Sequence, residues 1–315
     1  MPFVVRSTAV VLMMLTSCVG VAACTEQERA SDAAESSLTL TAPPAVPNIT
    51  TLSTTDGLSL PLDAYALSEE KLQVVLKARA LLIEKCLARF GFAYDFPVPV
   101  AQESRNPLGR RYGITERAVA AQWGYATAPR ATPAVRPRRA DDRNPALLLV
   151  LTGWPDGQVP GNAERPSVKT ASGADVPPGG CESEASRALV GKDEKYDTPE
   201  IVRQLDANAY HQSSADDRVV AVQKSWSECM KKEGYDFPNP LDAADRSTNP
   251  SSASSIRTAL VDIDCKNQTN LIGVSFAVEV AYQRGLIQQN IERLEAVKNR
   301  LESEVQVAGR TVSGG

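Results

Sequence analysis

The sequence has a single histidine, His211. That excludes histidine-based zinc sites and confines histidine catalysis to one position, where no patterned nucleophile or acid accompanies it. No Cys-x-x-Cys spacing occurs, so neither a redox pair nor a zinc ribbon is expected. Aromatic residues are only 5% of the chain and the net charge is −4, which gives no nucleic-acid signal. Beyond the N-terminus no apolar run is long enough to span a bilayer. The alternating strand and helix pattern of a two-lobed α/β fold is also missing. No metal site, no cofactor and no catalytic residue is therefore assigned.

The N-terminus is more informative. Arg6 precedes the apolar run from Ala9 to Leu15, and small residues lead to Val21-Ala22-Ala23-Cys24. A short basic part, a short apolar part and small residues at the cut describe a signal peptide, residues 1–23. Cys24 then stands where a bacterial lipobox cysteine receives its lipid, with palmitate among the expected acyl chains. Residues 24–61 are rich in Ser, Thr, Ala, Pro and acids, a composition expected to remain a disordered tether. A flexible chain of about 37 residues reaches roughly 30–40 Å.

Cys18 leaves with the signal peptide, and Cys86, Cys181, Cys229 and Cys265 remain. An even number in an exported chain points to two disulfides, with three possible connectivities. An internal repeat orders them. Residues 86–97 read Cys-Leu-Ala-Arg-Phe-Gly-Phe-Ala-Tyr-Asp-Phe-Pro, and residues 229–238 read Cys-Met-Lys-Lys-Glu-Gly-Tyr-Asp-Phe-Pro. An amphipathic helix precedes each copy, through Leu72, Leu76, Ile83, Cys86 and Phe90 in one and Val219, Val222, Trp226 and Cys229 in the other. Ser68 and Asp216-Asp217 are suitable helix starts. Gly91 and Gly234 sit where a left-handed residue ends a helix. Asp95-Phe96-Pro97 and Asp236-Phe237-Pro238 should be extended, since a residue before proline avoids helical angles. A second cysteine with its own helical pattern follows each copy, so the repeat pairs Cys86 with Cys181 and Cys229 with Cys265. The doubled Asp-Phe-Pro reads as a helix cap and core anchor, with a paired ligand site as the functional alternative.

The first repeat, 62–198, carries a long insertion. A short helix is expected from Glu116 to Gln122, ended by Gly124. An arginine-rich stretch holds Arg130, Arg136, Arg138, Arg139 and Arg143, read as a solvated loop or a contact for anionic lipid or wall polymer. Leu147 to Leu151 reads as a strand, Gly153 to Gly157 as a turn bearing Trp154, and Val168-Lys169-Thr170 as the returning strand of a hairpin. The second repeat, 199–315, opens with a helix over 199–211. It closes with an unbroken helical stretch from Leu271 to about Val307, whose seam is Ile287, Ile291, Leu294, Leu301 and Val305. Gly273-Val274-Ser275-Phe276-Ala277 lies inside this pattern and is no nucleophile elbow. The fold expected is mainly α: two disulfide-linked helical repeats, a small β-hairpin insertion and a long C-terminal helix.

The lipobox, the doubled Cys…Gly-aromatic…Asp-Phe-Pro and the segment Ala281-Tyr282-Gln283…Leu286-Ile287 together resemble the uncharacterised secreted lipoproteins of high-GC Gram-positive bacteria, over most of the mature chain. The resemblance implies a surface-attached, non-enzymatic accessory role beside a transport or cell-wall system, and it carries no catalytic residue. The expected function is that of a binding or accessory lipoprotein on the outer face of the cytoplasmic membrane. Its expected partners are the membrane, through Cys24, and an envelope protein or wall polymer. Two alternatives stay open. One is a cell-wall hydrolase using carboxylates such as Asp95, Asp236, Asp262 and Asp264. The other is a solute-binding lipoprotein of a transporter.

Overall fold

The computed structural model describes residues 38–98, 108–127, 144–154, 167–191, 198–247 and 249–314. Cys24 and the arginines from Arg130 to Arg143 lie outside them. Ten α-helices and one two-stranded hairpin make up the described body. The helices are α1 (Glu69–Ala88), α2 (Arg117–Trp123), α3 (Pro145–Thr152), α4 (Gly180–Val190), α5 (Glu200–Ser214), α6 (Asp217–Lys232), α7 (Pro240–Asp245), α8 (Ala253–Thr269), α9 (Leu271–Gln289) and α10 (Ile291–Gly314). A 3-10 turn, Pro61–Tyr65, precedes α1. The strands are β1 (Val168–Lys169) and β2 (Asp175–Val176), paired antiparallel with Val168 opposite Val176.

The helix starts follow local chemistry. Ser68 accepts from the Lys71 amide, Asp216 from the Arg218 amide, and Ser252 from the Ser255 amide. Each satisfies a backbone donor that has no intrahelical partner. The two repeat copies share the same pair of helix-ending bonds. Phe92 N donates to Leu87 O and Tyr235 N to Met230 O, while Gly91 N donates to Ala88 O and Gly234 N to Lys231 O. Both glycines have positive φ, 81° and 88°, the geometry of a Schellman end. The chain then turns its aromatics back: Phe92, Tyr94 and Phe96 onto one core, and Tyr235 and Phe237 onto another.

Cys86 is buried and Cys229 partly buried, each against the helix that carries its partner. Cys86 of α1 bonds Cys181 of α4, and Cys229 of α6 bonds Cys265 of α8, with Cα atoms 5.6 Å apart in both. This is the connectivity the repeat implies. Ile83, Leu87, Leu147, Val150, Val176 and Ala185 surround the first bridge. Val222, Trp226, Met230, Ala259, Ile263 and Ile272 form the core beside the second. A third cluster joins α5 and α9 through Leu205, Ala209, Val278 and Leu286, with Leu294 of α10 added.

The two modules interleave along the chain, so a division at 198/199 does not separate them. Tyr112, Ile114, Ala120 and Tyr125, which lie within the first repeat's insertion, are buried in the second module's core, and α2 packs on α8. Helix α10, near the end of the second repeat, packs on α1 and α4 of the first. Ala308 meets Val75, Ala78 and Leu189 there.

Four expectations need correction. Residues 38–60 lie against the body as an extended strap, not as free chain. Leu40 N donates to Gln212 Oε1 at 2.9 Å and Gln212 Nε2 to Leu40 O at 2.8 Å. Asn208 Nδ2 donates to Leu38 O, Arg218 to Pro44 O and Leu52 N to Asn270 Oδ1. Long polar side chains of the body thus satisfy the strap's backbone groups. Residues 145–152 are a helix: Asn144 caps it and Pro145 occupies its first position, where a missing N–H costs nothing. The partner of β1 is accordingly β2. The long C-terminal stretch is two helices, broken at Asn290, whose amide donates to Leu286 O while its own carbonyl starts α10. Finally, the buried stripe of α10 is Leu294, Leu301, Glu304 and Ala308, while Ile291 is exposed.

Candidate functional site

The loop before α2 organises the middle of the molecule. Gly113 turns it with φ +79°, and a Cβ there would lie 2.7 Å from Lys266 Nζ, so the turn needs glycine. Lys266 is fully buried on α8. Its Nζ donates to Ile114 O at 2.8 Å and to Asp262 Oδ2 at 3.0 Å, one helical turn away. Asp262 also accepts from Trp226 Nε1 at 2.9 Å and from the Tyr125 hydroxyl at 3.2 Å. Burial pushes the Asp262 carboxyl up and the Lys266 ammonium down, and each partner's charge opposes the shift. The pair holds the loop against α8.

So held, the loop presents Arg111 and Tyr112 to α5 and α9. Arg111 Nε donates to Glu279 Oε1 at 2.7 Å, and its two terminal nitrogens donate to Asp206 at 3.1 and 2.8 Å. The guanidinium also lies 5.0 Å from the Tyr210 ring centroid. Tyr112 donates its hydroxyl to Glu279 Oε2 at 2.7 Å. Gln283 closes the set, donating to Asp206 and accepting from Leu62 N. Burial works against the Arg111 charge, but the bonds and charges of Glu279 and Asp206 outweigh it and hold the guanidinium above its ordinary value. Burial pushes Glu279 up, and Arg111 opposes that.

A pocket of about 270 Å³ opens beside this cluster. Arg111, Tyr112 and Tyr210 form one side of it. The corner between α5 and α6 supplies Ser213, Ser214, Val219 and Gln223, the start of α7 supplies Pro240 and Leu241, and α9 supplies Leu271 and Ser275. The site joins segments that are far apart in sequence.

The residues singled out from sequence fall elsewhere. Asp95 and Asp236 are exposed, and Asp236 pairs with Lys231 at 3.3 Å. Asp264 bonds Arg117 on the surface. Asp262, two residues earlier, is locked in the core, so the four carboxylates do not converge. The Asp-Phe-Pro copies lie on separate cores, Phe96 and Phe237 packing inward. His211 is exposed and meets Tyr210 edge-on at 6.2 Å. Trp154 is half-buried after Gly153, the left-handed residue that ends α3. Among the described residues no three His, Cys, Asp or Glu side chains group as a metal site, and no helix is long and apolar enough to cross a membrane.

Sequence reasoning passed over Arg111, Asp206, Glu279 and Gln223 as site residues, and weighed Ser275 only as a nucleophile elbow, which it discarded. One signal was available: Glu279 stands alone in the apolar run from Phe276 to Tyr282, and a buried acid demands a partner. Its partner is 168 residues away, beyond any local pattern. No protein-family model matches the chain, and neither the curated proteins nor the solved structures give a match.

Proposed function

We propose that the chain is an exported lipoprotein, anchored through Cys24 at the outer face of the cytoplasmic membrane, whose helical body serves the cell envelope as a binding or accessory protein without catalysis. Two observations support the address. The lipobox stands at residues 21–24, and the four cysteines of the body are paired in two disulfides, the state expected of an exported chain. The observation that carries the binding reading is the Arg111 pocket. Its one charged side chain is neutralised by Asp206 and Glu279, and among the described residues its serine hydroxyls have no base positioned beside them. The 14 residue steps from Cys24 to Leu38 span at most about 50 Å. The anchor would therefore keep the body, and the pocket with it, close to the bilayer.

Intact mass of the chain from its native host tests the anchor. The expected result is cleavage before Cys24 with added diacylglycerol mass, and release of a Cys24→Ala chain into the medium. An unacylated chain starting elsewhere would refute the address. In-cell crosslinking at the pocket mouth, through Leu241, is expected to capture a reproducible envelope component. Recovery of no partner above the level of a Lys298 control would remove the accessory role.

A further inference from the structure

We propose that the Arg111 pocket binds an uncharged amphiphilic small molecule, with an apolar ring or short chain and one hydroxyl or amide group. The inference deepens the binding reading above and rests on it, but needs no lipid anchor.

Charge is the first argument. Arg111 is the one charged side chain among the lining residues, and its Nε, Nη1 and Nη2 all donate to Asp206 or Glu279. An anionic ligand would have to displace a carboxylate already held in bidentate geometry. A cationic ligand would find no carboxylate among the lining residues, and the two nearby, Asp206 and Glu279, are already held by Arg111.

Unmade hydrogen bonds are the second. Ser275 is 6% exposed and sits on α9, yet its hydroxyl has no partner among the described residues and faces the pocket. The Gln223 amide and the Ser214 hydroxyl, which line the same pocket, are likewise without a protein partner among the described residues. Gln223 and Ser214 are only partly buried, so the three groups are open to the cavity and offer a ligand both donors and acceptors. A ligand hydroxyl or amide fits them, because each can both give and accept.

The walls supply the third. Val219, Leu271, Pro240 and the tyrosine rings make most of the lining apolar, and Leu241 at the mouth is 43% exposed. The volume of about 270 Å³ is far above the roughly 30 Å³ of one liquid water. It lies just under the ~300–1,000 Å³ usual for small-molecule sites, so one ring or a short chain fills it.

The test uses the full chain, isotope-labelled, titrated in NMR with three probes of matched size: benzyl alcohol, benzoate and benzylamine. Benzyl alcohol is expected to shift the amides of Ser213–Val219 and Leu271–Ser275 in the low millimolar range, the range for a fragment of this size. It should bind at least tenfold tighter than either charged probe. Ser275→Leu removes the hydroxyl and puts a branched apolar side chain into the cavity, and it is expected to abolish these shifts. Gln223→Ala, at a half-buried position tolerant of truncation, should weaken binding several-fold with the rest of the spectrum unchanged. Equal binding of benzoate or benzylamine, shifts confined to another part of the chain, shifts that survive Ser275→Leu, or no shift in this range overturns the proposal. An acylated chain that ignores benzyl alcohol keeps the anchor and loses this site. An unacylated chain that binds it does the reverse.

Discussion

Replacing Lys266 by methionine tests whether the buried pair holds the centre of the molecule. The two side chains are 1% and 0% exposed, so removal of the ammonium leaves a carboxylate in a water-free site. Asp262 would keep only neutral donors, Trp226 Nε1 and the Tyr125 hydroxyl, and Ile114 O would lose its donor. Breaking such a pair from one side costs about 3–5 kcal/mol. Protonation of Asp262 offers a way out, and it sets the pH dependence. Burial raises its folded pKa already in the intact pair, and without Lys266 it rises further, against about 3.9 in the unfolded chain. A raised folded value favours the protonated state: its stabilising contribution is complete below the unfolded value and is lost as pH rises through the folded one. The variant should thus regain up to about 1.4 kcal/mol per pH unit on acidification within that window. Urea unfolding at pH 5, 6 and 7, followed by tryptophan fluorescence and far-UV circular dichroism with disulfides intact, measures both effects. A Lys266→Met/Asp262→Asn double variant removes the stranded charge and should recover most of the loss with a flat pH profile. A single variant within 1 kcal/mol of the parent at pH 7, with no pH dependence, would refute the reasoning.

Two further outcomes are expected. Opening the bridges by paired Cys→Ala changes should cost about 4 kcal/mol for Cys229–Cys265 and nearer 4.7 for Cys86–Cys181, by loop-closure entropy over separations of 36 and 95 residues. The check is the difference in urea midpoints, and equal losses, or a larger loss for the short loop, would count against the entropic account. Gly273→Ala places a Cβ against Thr50 O and the Asn270 side chain, so it should lift the strap. Limited proteolysis should then cut within 38–60 while the helical body stays intact, and an unchanged cleavage pattern would show that the strap is not held there.

Short-range chemistry made much of this architecture legible. Cysteine spacing, the doubled glycine and the 3.6-residue stripes located α1 and α6 and paired their bridges, because each signal lies within a turn or two of its effect. The strap was hidden by the Ser, Thr and Pro between its apolar residues, of which Leu38, Leu40, Val46 and Leu52 pack on the cores. Its backbone is held by Asn208, Gln212 and Asn270, body side chains with no local mark of their role. Helix α3 was misread because a five-residue apolar run fits a strand and a helix equally well, and the start signal Asn144-Pro145 was the better guide. The pocket was illegible for a different reason. Arg111, Asp206 and Glu279 meet only after α5 and α9 pack, and single charges scattered over 168 residues form no pattern.

The placement of α10 carries a consequence for the order of assembly. Val75 and Ala78 on α1 close against Ala308, so the first disulfide unit is complete only when the chain has been synthesised through α10. Contacts of such long sequence separation form late and slowly. Until then a strip of α1 lies bare, and a chain that stops at Asn290 would never cover it. Maturation of the first disulfide unit is in this sense gated by the arrival of α10.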